Sequence, residues 1–385
     1  MHIITKGTTP TSIGLSFSDS GIPFLRVQNL RNHHLDLTVD PQFISESTNR
    51  ALARSIILRG DVLLSIAGTI GRTAIVPNDC PTMNCNQAIA IIRPRDTLDA
   101  RYLMHWLEAE DARQQIASFK VTATISNLSL SQIASMSILL PPLPEQQRIA
   151  AILDQAEALQ AKRRQALAKL DTLTQSLFLE MFGDPATSPA SSFQPLGGFI
   201  DAMDTINYGV VQPGEHYQSG LPLIRVGDFS NGVISHDNLK LIHPDIEAAY
   251  RRSRIRGTEI LLSCVGSIGT VALCSERMKG MNVARAVARI PADAKKINRL
   301  FLLYYLRTSF VQNYFLTQLR TVNQPTLNIK QIIETPTLSP PQELQKRFAS
   351  AAMYLDGMKD HLRRAARETT GLHRILQQKA FRGEL

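Results

Sequence analysis

The chain has 385 residues, with 42 lysines and arginines against 33 aspartates and glutamates and a formal charge of +9. An apolar fraction of 44% with 19% charged residues excludes a disordered or fibrous chain and leaves room for two domains with real cores. No apolar run approaches the ~20 residues of a bilayer span and Met1-His2-Ile3-Ile4-Thr5-Lys6 is no secretory signal, so a soluble cytoplasmic protein is expected.

In chain order, the first 143 residues mix short β-like runs with turn signals. Ile56-Ile57-Leu58, Val62-Leu63-Leu64-Ser65-Ile66 and Ala88-Ile89-Ala90-Ile91-Ile92 read as strands, bounded by Gly60, Gly68, Gly71, Pro77 and Pro94. Ala100 to Phe119 reads as one helix, with Leu103, Trp106, Leu107 and Ile116 at mostly helical spacing. After Pro141-Pro142-Leu143-Pro144, residues 145–181 run without proline or glycine and predict a long helix. Heptad spacing puts Ile149, Ala156, Arg163, Leu170 and Leu177 at one seam position, and Ile152, Leu159, Ala166 and Leu173 at the other.

The pattern then repeats. Gly21-Ile22-Pro23-Phe24-Leu25-Arg26-Val27 returns as Gly220-Leu221-Pro222-Leu223-Ile224-Arg225-Val226, an offset of 199. Leu63 to Gly71 returns as Leu261 to Gly269 at 198, and Pro141-Pro142 returns as Pro340-Pro341 at 199. Such a steady offset marks two tandem copies of one unit. The second long helix carries Phe348, Leu355, Leu362, Thr369 and Leu376 at one seam position and Ala351, Met358, Ala365 and Leu372 at the other. The predicted fold class is α/β (α+β), with two similar globular domains (1–143 and 184–341) and two long helices (144–183 and 342–385). The helices are expected to pair as an antiparallel coiled coil with pseudo-two-fold symmetry; separate docking of each on its own domain is the rival arrangement. At ~1.5 Å per residue such a helix makes a rod of roughly 55 Å, with the domains expected at opposite ends. The second copy opens with Phe193 to Ile200, which has no counterpart ahead of Met1, so the expectation is either that the first domain lacks an edge element or that the sequence starts late.

The helix starts, Leu139-Leu140-Pro141-Pro142-Leu143-Pro144-Glu145-Gln146 and Leu338-Ser339-Pro340-Pro341-Gln342-Glu343, together with the stretch Gly60 to Gly71, resemble the specificity subunit of type I restriction-modification systems over nearly the whole chain. The resemblance implies that each globular domain is a target-recognition domain reading one half of a split double-stranded DNA site. The helices would set the unread spacer and dock two modification (methyltransferase) subunits, which restriction subunits can join. It implies no cofactor in this chain, because S-adenosylmethionine would belong to the modification subunits. A stand-alone bipartite DNA-binding regulator or scaffold is the alternative.

The residues themselves show no catalytic constellation. There is no phosphate loop, and Gly68-Thr69-Ile70-Gly71 and Gly266-Ser267-Ile268-Gly269 read as tight turns or as loops whose amides approach a phosphate. Cys80, Cys85, Cys264 and Cys274 form no Cys-x-x-Cys pair, and the adjacent His33-His34, expected on opposite faces of a strand, form no metal site. Base readers are sought where the copies diverge, because amide, guanidinium, hydroxyl and carboxylate side chains match base edges. That selects Gln28, Asn29, Arg31, Asn32 and His33 against Asp228, Ser230 and Asn231, and Thr122, Thr124 and Ser126 against Thr321, Asn323 and Gln324. Arg72, Lys120, Arg251, Arg252 and Arg320 are the candidate phosphate contacts. Residues 343–382 hold nine cations and four anions, so much of the surplus lies on the second helix.

Overall fold

The computed structural model describes residues 3–120, 127–230, 232–319 and 325–385, without the side chains of Lys120 and Ser230. The chain divides into two compact units, Met1–Gln165 with Arg363–Leu385, and Ala166–Leu362. Each unit thus holds one globular domain, the start of one long helix and the end of the other.

In the first unit a four-stranded antiparallel sheet runs in the order Ile3–Lys6, Ile89–Arg93, Val62–Ser65, Thr73–Ile75. A three-stranded sheet pairs Ile22–Leu25 antiparallel with Phe43–Ile44 and parallel with Asn84–Cys85. The second unit repeats this topology with Asn207–Tyr208, Val287–Ile290, Ile260–Ser263 and Val271–Leu273, and with Leu221–Ile224 between Lys240–Ile242 and Asn282–Val283. It adds a pair, Phe193–Pro195 with Pro336–Leu338. The expected strand at Ile56–Leu58 is a single bridge between Ile57 and Met83. The expected helix 100–119 is two, Ala100–Glu108 and Glu110–Lys120, because Ala109 is extended at ψ 159°. The second copy breaks at the same place, where the Thr308 side chain caps Ser309–Thr317.

The long helices span Leu143–Phe182 and Gln342–Arg382. In each unit the domain helix, Ala100–Glu108 or Arg299–Leu306, packs between its sheet and the long helices. Tyr102 meets Phe381 with ring centroids 5.2 Å apart in the first unit, and Phe178 meets both Phe301 (5.6 Å) and Phe348 (5.4 Å) in the second. A buried glutamine locks each junction. Gln146 Oε1 accepts from the Asp99 N–H at 2.8 Å, and its amide donates to the carbonyls of Thr97 (3.0 Å) and Pro141 (2.8 Å). Gln345 does the same with the Asn298 N–H (2.8 Å) and the Pro340 carbonyl (2.7 Å). Asp99 and Asn298 are themselves the side-chain caps of the domain helices, so the glutamine of the Pro-Pro motif fixes where the domain starts its helix against the rod.

The helices pair antiparallel inside each unit. Arg148 donates to the Leu385 carbonyl at 2.9 Å and Arg163 donates to the Ala365 carbonyl in the first; Lys359 pairs with Asp171 at 3.0 Å in the second. The seam differs from expectation by one residue. Ile149, Phe348 and Leu355 are buried, and Leu170, Leu177, Leu362, Leu376 and Ile152 are half-buried. Leu159, Leu173, Met358 and Leu372, however, are 43%, 51%, 40% and 54% exposed. The buried column lies one position on, at Leu153, Thr174, Ala352 and Lys359, each at most 4% exposed. Polar residues in that column are satisfied locally: Thr174 donates to the Leu170 carbonyl, and Lys359 pairs with Asp171 and Asp356. We expect Leu153→Ala to destabilise the chain by about 2–5 kcal/mol in denaturant unfolding, and Leu159→Ala by less than about 0.5 kcal/mol.

Candidate nucleic-acid interface

The segment after each Arg-Val pair makes a short 3-10 turn, Val27–Asn29 or Val226–Asp228, that launches a two-stranded hairpin. The hairpins are Leu30–Arg31 with His34–Leu35 and Phe229–Ser230 with Val233–Ile234. Two expected readers prove to be the caps of these turns. Asn29, 3% exposed, accepts from the Arg26 N–H (2.7 Å) and donates to the carbonyls of Asp36 (3.0 Å) and Val39 (2.8 Å). Asp228, 7% exposed, accepts from the Arg225 N–H (2.7 Å) and from its guanidinium (3.1 Å). Their polar atoms are engaged in the hairpin root. Arg26 and Arg225 brace the same turns, Arg26 by an ion pair to Asp40.

The tip is another matter. Arg31 and Asn32 are exposed, and Gln28 is half-buried with its amide on Asp40 at 3.2 Å. Two clefts open beside them. One of about 470 Å³ is lined by Leu30, Arg31, Asn32, His33, Arg72, Thr73 and Glu108. The other, about 420 Å³, is lined by Gln28, Gly68, Thr69, Arg72 and neighbours. Arg72 lines both. Its place is set by the glycine turn, where Ser65 Oγ donates to the Thr69 carbonyl (2.6 Å) and accepts from the Arg72 N–H (2.8 Å). Gly68 and Gly71 hold φ of 68° and 97°, conformations that favour glycine. The structure therefore gathers Gln28, Arg31, Asn32 and Arg72 on one face of the first domain.

In the second domain Arg251 and Arg252 are exposed on a turn that packs against Asn207–Tyr208 and Asn282–Val283, whereas the hairpin packs on Val271–Leu273. These arginines and the hairpin are thus carried by different strands. Thr122, Thr124, Ser126, Asn231, Arg320, Thr321, Asn323 and Gln324 lie outside the described residues, as do the side chains of Lys120 and Ser230.

His33 does not lie on a strand as expected. It is the second residue of the hairpin turn, with φ 67°, and both ring nitrogens meet carboxylates: Nδ1 is 2.7 Å from Glu157 and Nε2 is 2.5 Å from Glu108. Behind it His105 Nε2 lies 2.7 Å from Asp154 and Nδ1 3.5 Å from Glu157; His373 Nε2 lies 3.8 Å from Glu157. Burial alone would lower the His33 pKa, but the hydrogen bonds and charges of Glu108 and Glu157 outweigh it and raise it to about 10. Burial would raise Glu157, yet His105 and His33 hold it down to about 2. His105 is likewise raised against its burial by Asp154 and Glu157, while burial lowers His373. Among the described residues no group is placed to hold a metal ion, and no helix is long and apolar enough to cross a membrane. The cluster is an ion-pair network. Sequence reasoning missed it because its members come from four distant segments, and the one available signal was that the second copy has Gly232 where the first has His33.

Residues 2–170 match the family model of the type I restriction modification DNA specificity domain. The chain is similar to the specificity subunits of type I restriction-modification systems. It is similar to the EcoBI specificity subunit of Escherichia coli, 28% identical over 292 residues that cover 69% of this chain and 61% of that protein. It is also similar to the EcoKI specificity subunit of Escherichia coli strain K12, 21% identical over 393 residues that cover 95% of this chain and 83% of that one. The fold is similar to that of the S subunit of a type I restriction-modification system from M. genitalium, with a TM-score of 0.53 at 16% identity over 98% of this chain and 93% of that structure. A chain of a type I system solved for its complex assembly and conformational transition gives a TM-score of 0.58 at 19% identity, covering 99% and 95%. Between the two copies the hairpin is a divergent element on a shared frame, since its root is capped alike in both and its tip differs in sequence.

The network gives a pH dependence with a fixed sign. The raised His33 contributes stability that is complete below about pH 6.5 and is lost as pH rises through about 10. The depressed Glu157 contributes stability present above about pH 4.5 and lost as pH falls toward about 2. Amide-exchange protection of residues 30–35, corrected for intrinsic rates, should therefore decline from pH 7 to 10, and His33→Asn should remove that decline.

Proposed function

We propose that the chain is the DNA-recognition subunit of a type I restriction-modification complex and that each globular domain reads one half of an asymmetric, bipartite double-stranded site. The observation that carries this reading is the pair of like-rooted hairpins with unlike tips: Gln28, Arg31 and Asn32 beside Arg72 in one copy, and a different sequence in the other. Arginine and amide side chains on such a tip match guanine and adenine edges, and Arg72 on its braced turn suits a phosphate. Arg251 and Arg252 are the corresponding phosphate candidates of the second domain. Residues 120–127 and 320–326, rich in hydroxyl and amide groups, supply the second reading segment of each.

In this reading the long helices set the spacer between the half-sites and dock two modification (methyltransferase) subunits, and restriction subunits join that core. S-adenosylmethionine and the methyl-transfer chemistry belong to the modification subunits, and this chain works without a cofactor, in the cytoplasm. The modest basic surplus fits a subunit that binds DNA weakly alone and more tightly when its partners add phosphate contacts.

Two experiments test this. Exchange of residues 28–34 or 120–127 should alter the target in one half only, as read by methylome sequencing of a host carrying the complex; change in both halves or in neither removes the loop assignment. Insertion of one heptad in each long helix should change the spacer and leave the half-site sequences intact. Co-purification with two modification subunits separates this function from that of a stand-alone regulator.

A further inference from the structure

The hairpin Leu30–Leu35 turns through Asn32 and His33, whose φ values are 47° and 67°. This two-residue turn favours Asn followed by Gly, and the second copy has that pair, Asn231-Gly232. A histidine at the second position therefore sits in a backbone conformation that its side chain makes harder, where glycine would serve the turn better. Nothing within the hairpin compensates for it. The ring leaves the hairpin altogether and joins Glu108, at the end of the domain helix, to Glu157, on the first long helix. Glu108 is itself held by the Thr73 hydroxyl from the sheet. Two helices thus converge on one side chain at the tip, and the sheet braces one of the carboxylates that holds it.

The second copy solves the same problem with opposite charge. Arg307 stands at the repeat position of Glu108, and its guanidinium donates to the Gly232 carbonyl (3.3 Å) and to the Val271 carbonyl (3.2 Å). Tyr304, at the position of His105, donates to Asp356, at the position of Glu157, at 2.7 Å. In both copies the hairpin tip is tied to the end of the domain helix, and in both that helix is tied to a long helix. In one a ring is clasped by two carboxylates; in the other a peptide carbonyl is held by a guanidinium.

We propose that His33 is a positioning residue that, through Glu108 and Glu157, holds the tip of the first hairpin in the pose from which Arg31 and Asn32 read their half-site, and that Arg307 does the same for the second hairpin through the Gly232 carbonyl. The inference rests on the DNA-reading function proposed above and adds to it which residues set specificity without touching a base. His33 has no free ring nitrogen for DNA, and its engagement with two carboxylates makes it a poor neighbour for a phosphate. Its effect on recognition runs through the backbone of the turn.

The test uses the full chain with its modification subunits and selects binding sites from a randomised DNA pool. His33→Gly keeps the turn and removes the tie; Glu108→Gln keeps the side-chain shape and removes one charge. Each should lower discrimination at the first half-site roughly tenfold, the scale of one lost base contact, and leave the second half-site as in the parent. Arg307→Ala should do the converse. Thermal unfolding of each variant shows whether the fold persists, and Glu108→Gln keeps the question open to measurement should His33→Gly fail to fold. Unchanged discrimination at the first half-site, or an equal loss at both, overturns the positioning role and leaves the DNA-reading function standing. A parent complex that selects no sequence removes that function, and this inference with it.

Discussion

A glutamine sealed from water must find all its hydrogen-bond partners inside the protein, and Gln146 and Gln345 find theirs across the junction between a globular domain and a long helix. That requirement fixes more than one bond. The amide reaches the N–H of the residue that caps the domain helix and the carbonyl of the first proline in the Pro-Pro pair ahead of the long helix, so the start of one element is measured against the start of the other. Aromatic contacts then fill the angle between them, Tyr102 on Phe381 in one unit and Phe178 between Phe301 and Phe348 in the other. Each domain is held as a rigid bracket on its rod, and the hairpin at its edge inherits that rigidity.

The helix seam shows how such a rod can be specific without being greasy. A continuous apolar column would allow the helices to slide by a heptad at little cost. Lys359 on Asp171 and Arg163 on the Ala365 carbonyl are satisfied across the seam in one register. Another register takes Lys359 away from Asp171 and Arg163 away from its carbonyl, at a cost of several kcal/mol for a buried charge. Register is bought with polarity.

The same polarity explains where the sequence could be followed and where it could not. The duplication and the long helices follow from spacing alone, because offsets of 198 and 199 and a proline-free run of 37 residues have few other readings, whereas the antiparallel pairing needed the further argument that the connecting domain need not span the rod. The second seam column did not follow from spacing, since the buried positions include Thr174 and Lys359 while the neighbouring exposed column holds Leu159, Leu173 and Met358. Counting apolar residues chooses the wrong column when the right one holds polar residues whose partners lie nearby, Leu170 for Thr174 and Asp171 and Asp356 for Lys359. The break at Ala109 carries no glycine or proline to announce it. Asn29 and Asp228 have the chemistry of base readers, and only their burial under the turn reveals them as caps. The ion-pair network joins residues 33, 108, 157 and 373, a grouping that no local pattern encodes.

The self-capped root of the hairpin has an evolutionary corollary. Because Asn29 and Asp228 close the turn with side-chain bonds of their own, the hairpin root is held without help from the exposed tip residues Arg31 and Asn32. Substitutions there are buffered from folding, so new tips can be tried by drift or recombination while the scaffold survives. A molecule built this way diversifies like a tool with interchangeable bits, and it keeps the handle.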